Sequence, residues 1–373
     1  MRTADLLVYG PCSNAGDVLI HQTFVGLFSN VLETKYHHIR QSKLSGTASN
    51  IIIGPGGLLS GSYKPDVNPD ELILRHMTAA KVADWRQQGR NMFCFGTGTN
   101  TPTNAGSGSK PFSDVSAKTI GDFISASKRI YLRGSADINR LQAFCRSEDL
   151  EKLIFQPCPS IFLDKIFQVK SEKADRIALN LPLMKIKDLR SHPISRFIAS
   201  AHAEGLKVDF LDNHPMDFNS EVYEVFDGTT HSDMLKKFYL NPETATYEGA
   251  QKLYQAEWDS FDSLPSRFNG FRFAFGARLH SFLPFMAFDT PSLFLASNPI
   301  RTAMPTEYFG NPIFGAKIPF GGKNVDEVVD GMIERLKYFI RYEDTLVDRI
   351  REQRYRLWNI TKKNKDEMLS LMA

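Results

Sequence analysis

The run Asp5-Leu6-Leu7-Val8-Tyr9 ends at Gly10-Pro11, and a helical pattern follows through Val18, Leu19, Phe24, Leu27 and Phe28. A short apolar run, a breaker and then apolar residues at helical spacing make one strand, one loop and one helix. The unit recurs. Residues 50 to 53 run into Gly54-Pro55-Gly56-Gly57, a helical stretch over about 72 to 88 precedes an apolar run at 91 to 95, and residues 129 to 132 precede a helix near 135 to 146. A further strand at 154 to 156 ends at Pro157-Cys158-Pro159. Strands alternating with helices predict an α/β fold, a parallel sheet covered by helices.

The charged segment 170 to 176 interrupts this series, and a second one starts with a strand at 177 to 181, a helix at 193 to 204 and a strand at 207 to 211. A strand at 271 to 275, a helix at 281 to 288 with Pro284 in its first turn, and a long helix from Val325 to about Trp358 complete the reading. The expected domains are 1–172, 173–345 and a C-terminal helical extension, 346–373. Length and composition agree: 373 residues, 42% hydrophobic and 23% charged, suffice for two ordinary cores.

Lys plus Arg number 45 against 42 Asp plus Glu, a formal charge of +3, which excludes a dedicated nucleic-acid binder. Any anion site is therefore local. The apolar stretches at 51 to 53 and 282 to 288 fall far short of the roughly 20 residues that span a bilayer, and the N-terminus carries too short an apolar run for a signal-peptide core. Four cysteines, at 12, 94, 145 and 158, show no paired spacing, which predicts reduced thiols in the cytoplasm with neither disulfides nor a zinc cluster. Residues 335 to 365 hold ten Lys or Arg and four Asp or Glu. A solvated helix face is the ordinary meaning of such a stretch, and the functional one is contact with an acidic surface at the inner face of a membrane or with a charged acceptor.

Several familiar constellations are missing. Gly322-Lys323 is followed by Asn324 and is no Walker A loop, and the chain has no G-x-G-x-x-G after its first strand, no H-E-x-x-H, no G-x-S-x-G and no D-x-D pair. What remains clusters at predicted strand ends, where open α/β sheets collect ligands. Asn14-Ala15-Gly16-Asp17 crowns the first helix and either caps it or orients a ligand hydroxyl through Asp17. Gly54-Pro55-Gly56-Gly57 makes a tight turn after another strand. Residues 96 to 111 form a Gly, Ser, Thr and Asn-rich loop, a lid or a plain connection. Arg133-Gly134-Ser135 ends a strand. Most informative is Phe275-Gly276-Ala277-Arg278-Leu279-His280-Ser281, where a strand delivers Arg278 and His280 at i and i+2, on one side, just before a helix start. A permanent cation, a titratable imidazole and helical N–H groups suit a small phosphorylated carboxylate. Arg301-Thr302 could add a second cation.

In these residues the chain resembles the polysaccharide pyruvyl transferase family, from about residue 8 to 312, most strongly at Gly276-Ala277-Arg278-Leu279-His280-Ser281. The resemblance implies two Rossmann-like domains facing across a cleft, GT-B-like, with the last helix crossing back to the first domain. It implies transfer of pyruvate from phosphoenolpyruvate to a saccharide acceptor, free or lipid-linked, in surface polysaccharide biosynthesis, with no cofactor and no metal. Arg278, Arg133, Arg301 and Ser281 would bind the donor, His280 would be the acid, Asp17 the base, and Asn14, Gly16, Gly56 and Gly57 would line the acceptor side. Gly134 and Asn298 depart from acids common in the family. The alternative is a GT-B glycosyltransferase with a nucleotide-sugar donor, and a third reading is a non-catalytic saccharide binder.

Overall fold

A computed structural model describes residues 1–8, 15–38, 48–59, 79–99, 114–183, 186–211, 213, 221–230, 265–296, 299–317 and 324–372. Contacts divide the chain into two units, one of Met1–Gly10, Ile20–Pro159 and Leu357–Ala373, the other of Pro11–Leu19 and Ser160–Arg356.

The first unit contains β1 (Arg2–Val8), most of α1 (Ala15–Phe28), β2 (Leu32–His38), β3 (Asn50–Ile53), β4 (Gly56–Leu59), α2 (Ala79–Gln87), β5 (Asn91–Thr99), α3 (Asp114–Ala126), β6 (Arg129–Leu132), α4 (Ser135–Gln142) and β7 (Leu153–Phe155). The sheet order is β2-β1-β3-β5-β6-β7, with β4 beside β5, and the pairings are parallel. Ile51, Ile52 and Ile53 are fully buried, because helices cover both faces of such a sheet and its inner strands need no polar side. One face packs Ile51, Ile53, Met92, Cys94 and Ile130 against Trp85, Phe123 and Leu141. Asp5 is one of the buried charges of this unit. Its carboxylate meets the Arg90 guanidinium and, at 2.9 Å, His37 Nε2, the pairing that a buried carboxylate requires.

The second unit contains β8 (Arg176–Asn180), α5 (Ile194–Ala203), β9 (Lys207–Leu211), β10 (Gly228–Thr230), β11 (Phe273–Gly276), β12 (Ser292–Ala296), α6 (Pro299–Phe309), β13 (Gly315–Lys317), α7 (Val325–Arg341) and the first half of α8 (Glu343–Leu371). Its parallel sheet runs β10-β9-β8-β11-β12-β13. Counted from β8 this is 3-2-1-4-5-6, the doubly wound order of dinucleotide-binding sheets. Phe275 contacts Phe197 of α5 and Phe339 of α7, at 4.8 and 5.8 Å between centroids. On the other side Val18 and Leu19, from the first turns of α1, join Leu163, Ala178, Phe268, Phe285 and Phe288 in one core cluster.

Two elements thus contribute to both units. The start of α1 belongs to the second unit and its remainder to the first. In α8, Arg354 binds Asp164 and, at 2.6 Å, Asp289 within the second unit. Further along, Asn364 Nδ2 donates to Phe155 O at 2.8 Å, and Glu367 meets Arg129 at 2.9 Å in the first.

Two sequence expectations need correction. The helix expected from Val325 to about Trp358 is two helices, parted at Tyr342, and the second continues to Leu371. The helix expected at 281 to 288 is a single turn, Leu283–Met286, preceded by a separate tight turn at Leu279–Ser281. Among the described residues no helix is long and apolar enough to cross a membrane.

Candidate functional site

The second sheet reverses direction of growth between β8 and β11. From β8 the chain proceeds outward through β9 to β10, whereas β11 starts the opposite flank. Loops leaving the carboxyl ends of two such strands diverge, and the space between them is where open α/β sheets hold ligands. Here those ends are Asn180 and Gly276, partners in register.

After Gly276 the chain does not continue as a strand. Ala277 N–H closes the ladder on Asn180 O at 2.9 Å. Arg278 is still extended, with φ −115° and ψ 142°, and Leu279–Ser281 then form a 3₁₀ turn in which Ser281 N–H donates to Arg278 O at 2.9 Å. A side chain at 276 would place its Cβ 2.6 Å from Ser281 O and 3.0 Å from Ser281 Cβ. Glycine is therefore what lets the turn fold back over the strand end. This corrects the i, i+2 reading of Arg278 and His280: they share a tight turn, not a strand face.

Two asparagines anchor this edge. Asn180 Nδ2 donates to Leu211 O at 2.8 Å, joining the ends of β8 and β9. Asn213, just beyond β9, donates from Nδ2 to His280 O at 3.1 Å and to Ser281 Oγ at 2.5 Å. Asn213, His280 and Ser281 are buried, and Arg278 is half-buried.

Asp17 comes to the same place. The contacts that bury Val18 and Leu19 in the second unit's core carry the first turn of α1 with them, and Asp17 Oδ1 lies 3.9 Å from His280 Nδ1. That separation is too long for a direct hydrogen bond, and it sets a carboxylate oxygen against the Nδ1 side of the ring. The side chains of His280 and Asp17 are 10% and 23% exposed, so the pair reaches the surface mainly through the carboxylate.

The remaining predicted residues fall as follows. Gly16 is buried in the first turn of α1. The backbone of Arg301 lies in the first turn of α6. Gly56 and Gly57, expected in a turn, belong to β4, where Gly56 pairs with Thr97. Residues 96–99 of the expected Gly-rich loop are the end of β5, and Asn14 and loop residues 100–111 lie outside the described residues. Arg133 belongs to the first unit. It follows β6, donates its N–H to Thr97 O at 2.9 Å and is buried. A Cβ on Gly98 would stand 2.2 Å from Arg133 Nε, so the glycine makes room for the guanidinium. Beside it, Asp137 Oδ1 accepts from Thr99 N–H at 2.6 Å and from Thr99 Oγ at 2.7 Å.

Asn213, Asn180 and Asp137 escaped the sequence reading. Asn213 and Asn180 are polar residues at strand ends, like many loop residues, and only the pairing of β9, β8 and β11 brings them to the turn.

No family model matches the chain, and no curated protein matches it. Solved structures do. A UDP-GlcNAc 2-epimerase from Neisseria meningitidis bound to UDP-GlcNAc superposes with a TM-score of 0.52 at 10% identity, over 99% of this chain and 100% of that one. A glycosyltransferase from Rickettsia africae ESF-5 gives 0.48 at 10% identity over 100% and 98%, and a UDP-GlcNAc 2-epimerase from Methanocaldococcus jannaschii 0.46 at 9% over 90% and 92%. The first of these likenesses establishes the fold, two parallel-sheet α/β units of GT-B-like type.

Proposed function

We propose that the protein is a transferase acting on a saccharide, with a phosphate-bearing donor held at the carboxyl edge of the second sheet. The observation that carries the reading is the turn Arg278–Ser281 at the β8–β11 switch point, with Asp17 at His280. An arginine suits phosphate or carboxylate oxygens because its planar fork can make two parallel hydrogen bonds. The imidazole beside a carboxylate suits proton transfer near neutral pH.

Two donors fit this description. A nucleotide sugar has the support of the fold: the strand order is that of nucleotide-binding sheets, and the epimerase of like fold is bound to UDP-GlcNAc. An acceptor hydroxyl would then attack the anomeric carbon as the diphosphate leaves, with His280 supplying a proton to the departing oxygen or Asp17 taking the hydroxyl's.

Phosphoenolpyruvate has the support of the residues themselves. Arg278 and His280 share one compact turn, which suits a three-carbon compound bearing a phosphate and a carboxylate, in the order in which the pyruvyl transferase resemblance gives them. One acceptor hydroxyl would add to C2 while a proton from His280 arrives at the methylene carbon. The adding hydroxyl would give its proton to Asp17, phosphate would leave with that proton, and a second hydroxyl would close the ketal and return its proton to His280. Acid catalysis of this kind contributes about 10²- to 10⁴-fold.

Incubating the full chain with a panel of free and lipid-linked glycans separates the readings by what is released. A nucleotide released from a UDP-sugar supports the first and phosphate from phosphoenolpyruvate the second. Glycan binding with neither release would leave a non-catalytic saccharide binder and overturn the transferase reading.

A further inference from the structure

Asn213 has no place in the reaction schemes above, yet it is buried against the turn they depend on. Its orientation is fixed by chemistry: the atom facing His280 O must be the amide nitrogen, since a backbone carbonyl only accepts. The two Nδ2 hydrogens have two acceptors, His280 O at 3.1 Å and Ser281 Oγ at 2.5 Å. Those acceptors belong to successive residues of the turn, and Gly276 lies directly against Ser281 from the strand below. The turn is gripped by an amide on one side and seated on a bare Cα on the other.

We infer that Asn213 is a positioning residue that fixes where the His280 imidazole and the Arg278 guanidinium project. The inference rests on the reading that His280 and Arg278 act on the donor. The His280 carbonyl is two bonds from the Cα that carries the imidazole, so holding it limits rotation of the peptide plane and with it the direction of the side chain. The 3.9 Å approach of Nδ1 to Asp17 depends on that direction. Asparagine is specifically needed. Aspartate has the same shape but would set carboxylate oxygens against the His280 carbonyl and carry no N–H to offer it.

The test uses the full chain labelled with ¹⁵N-histidine, with the His280 imidazole resonances identified by their loss in H280Q. Spectra are recorded for wild type, D17N, N213D and N213A, each confirmed folded by circular dichroism, with binding of inorganic phosphate measured in parallel. The inference predicts that N213A moves the His280 imidazole shifts in the same direction as D17N, because each weakens the coupling of Nδ1 to the Asp17 carboxylate, and that N213D, which lacks the N–H and adds a carboxylate near the turn, also moves them away from wild type. It also predicts that both Asn213 variants weaken phosphate binding by about tenfold, the scale of one charge-assisted hydrogen bond. A folded N213A or N213D with wild-type imidazole shifts and phosphate affinity would overturn it. If N213D does not fold, N213S retains one donor and should give intermediate shifts; wild-type shifts there overturn the inference equally. The spectra require no donor. Absence of turnover with His280 shifts that respond to the Asn213 variants would refute the transferase reading and spare this one, and unresponsive shifts with turnover the reverse.

Discussion

The carboxyl edges of the two sheets use the same residue types in opposite ways. In the first unit Arg133 is 2% exposed and seated over Gly98, and Asp137 is wholly buried with Thr99 on one of its oxygens. In the second unit Arg278 is half-buried, and Asp17, beside His280, keeps nearly a quarter of its side-chain surface in solvent. Buried polar groups held in fixed bonds contribute to a unique fold. Partly exposed ones on a rigid turn remain able to meet a ligand. Arg133 is enclosed while Arg278 remains open to a ligand, a difference invisible in the sequence because both appear there as an arginine at a strand end.

Substitution at His280 should give the largest contrast. H280A is expected to lower turnover about 10²- to 10⁴-fold while changing donor affinity far less, as read from kcat and KM separately. Equal losses in both would make the imidazole a binding group. On the first edge, G98A is expected to cost about 1–3 kcal/mol of stability, because a methyl group must displace the Arg133 guanidinium in a packed interior. Denaturant unfolding checks this, and an unchanged midpoint would show that Arg133 moves freely.

Acid stability tests the same unit at a smaller scale. Burial works against the Asp149 carboxylate, but Lys152 at 2.7 Å and the Ser125 hydroxyl hold its pKa below the ordinary value. A depressed carboxyl stabilises the fold above the unfolded pKa of about 3.9, and that stability is lost as pH falls through the folded value. D149N should therefore be less stable than wild type at neutral pH, with the difference closing below about pH 4. The smallest effect concerns Cys145, whose thiol is pushed up to about 11 by burial and by the nearby Asp149 carboxylate. It should alkylate slowly in the native protein near neutral pH and rapidly on unfolding.

Much of the architecture was legible because buried parallel strands are written as apolar runs: Ile51 to Ile53 and Met92 to Phe95 could be little else. The edge strand β2 was not, since Glu33, Thr34 and Lys35 dilute its apolar signal, as edge strands commonly do. Nor was β4, whose two glycines suggest a turn. At the site, residue types were readable and geometry was not. The expectation of Arg278 and His280 on one strand face assumed that β11 continues past Gly276, whereas the close return of Ser281 ends it there. The meeting of Asp17 with His280 and of Asn213 with Ser281 spans long sequence separations and depends on packing that local pattern does not encode.

On the proposed function, the second sheet's switch point binds an anionic donor through Arg278. Calorimetric titration of phosphoenolpyruvate and of a UDP-sugar into the folded wild type and R278A tests it most directly. Saturable binding of one donor, weakened at least about tenfold in R278A at unchanged thermal stability, is the predicted result. Equal affinity in the two proteins, or no binding of either donor to the wild type, would contradict it.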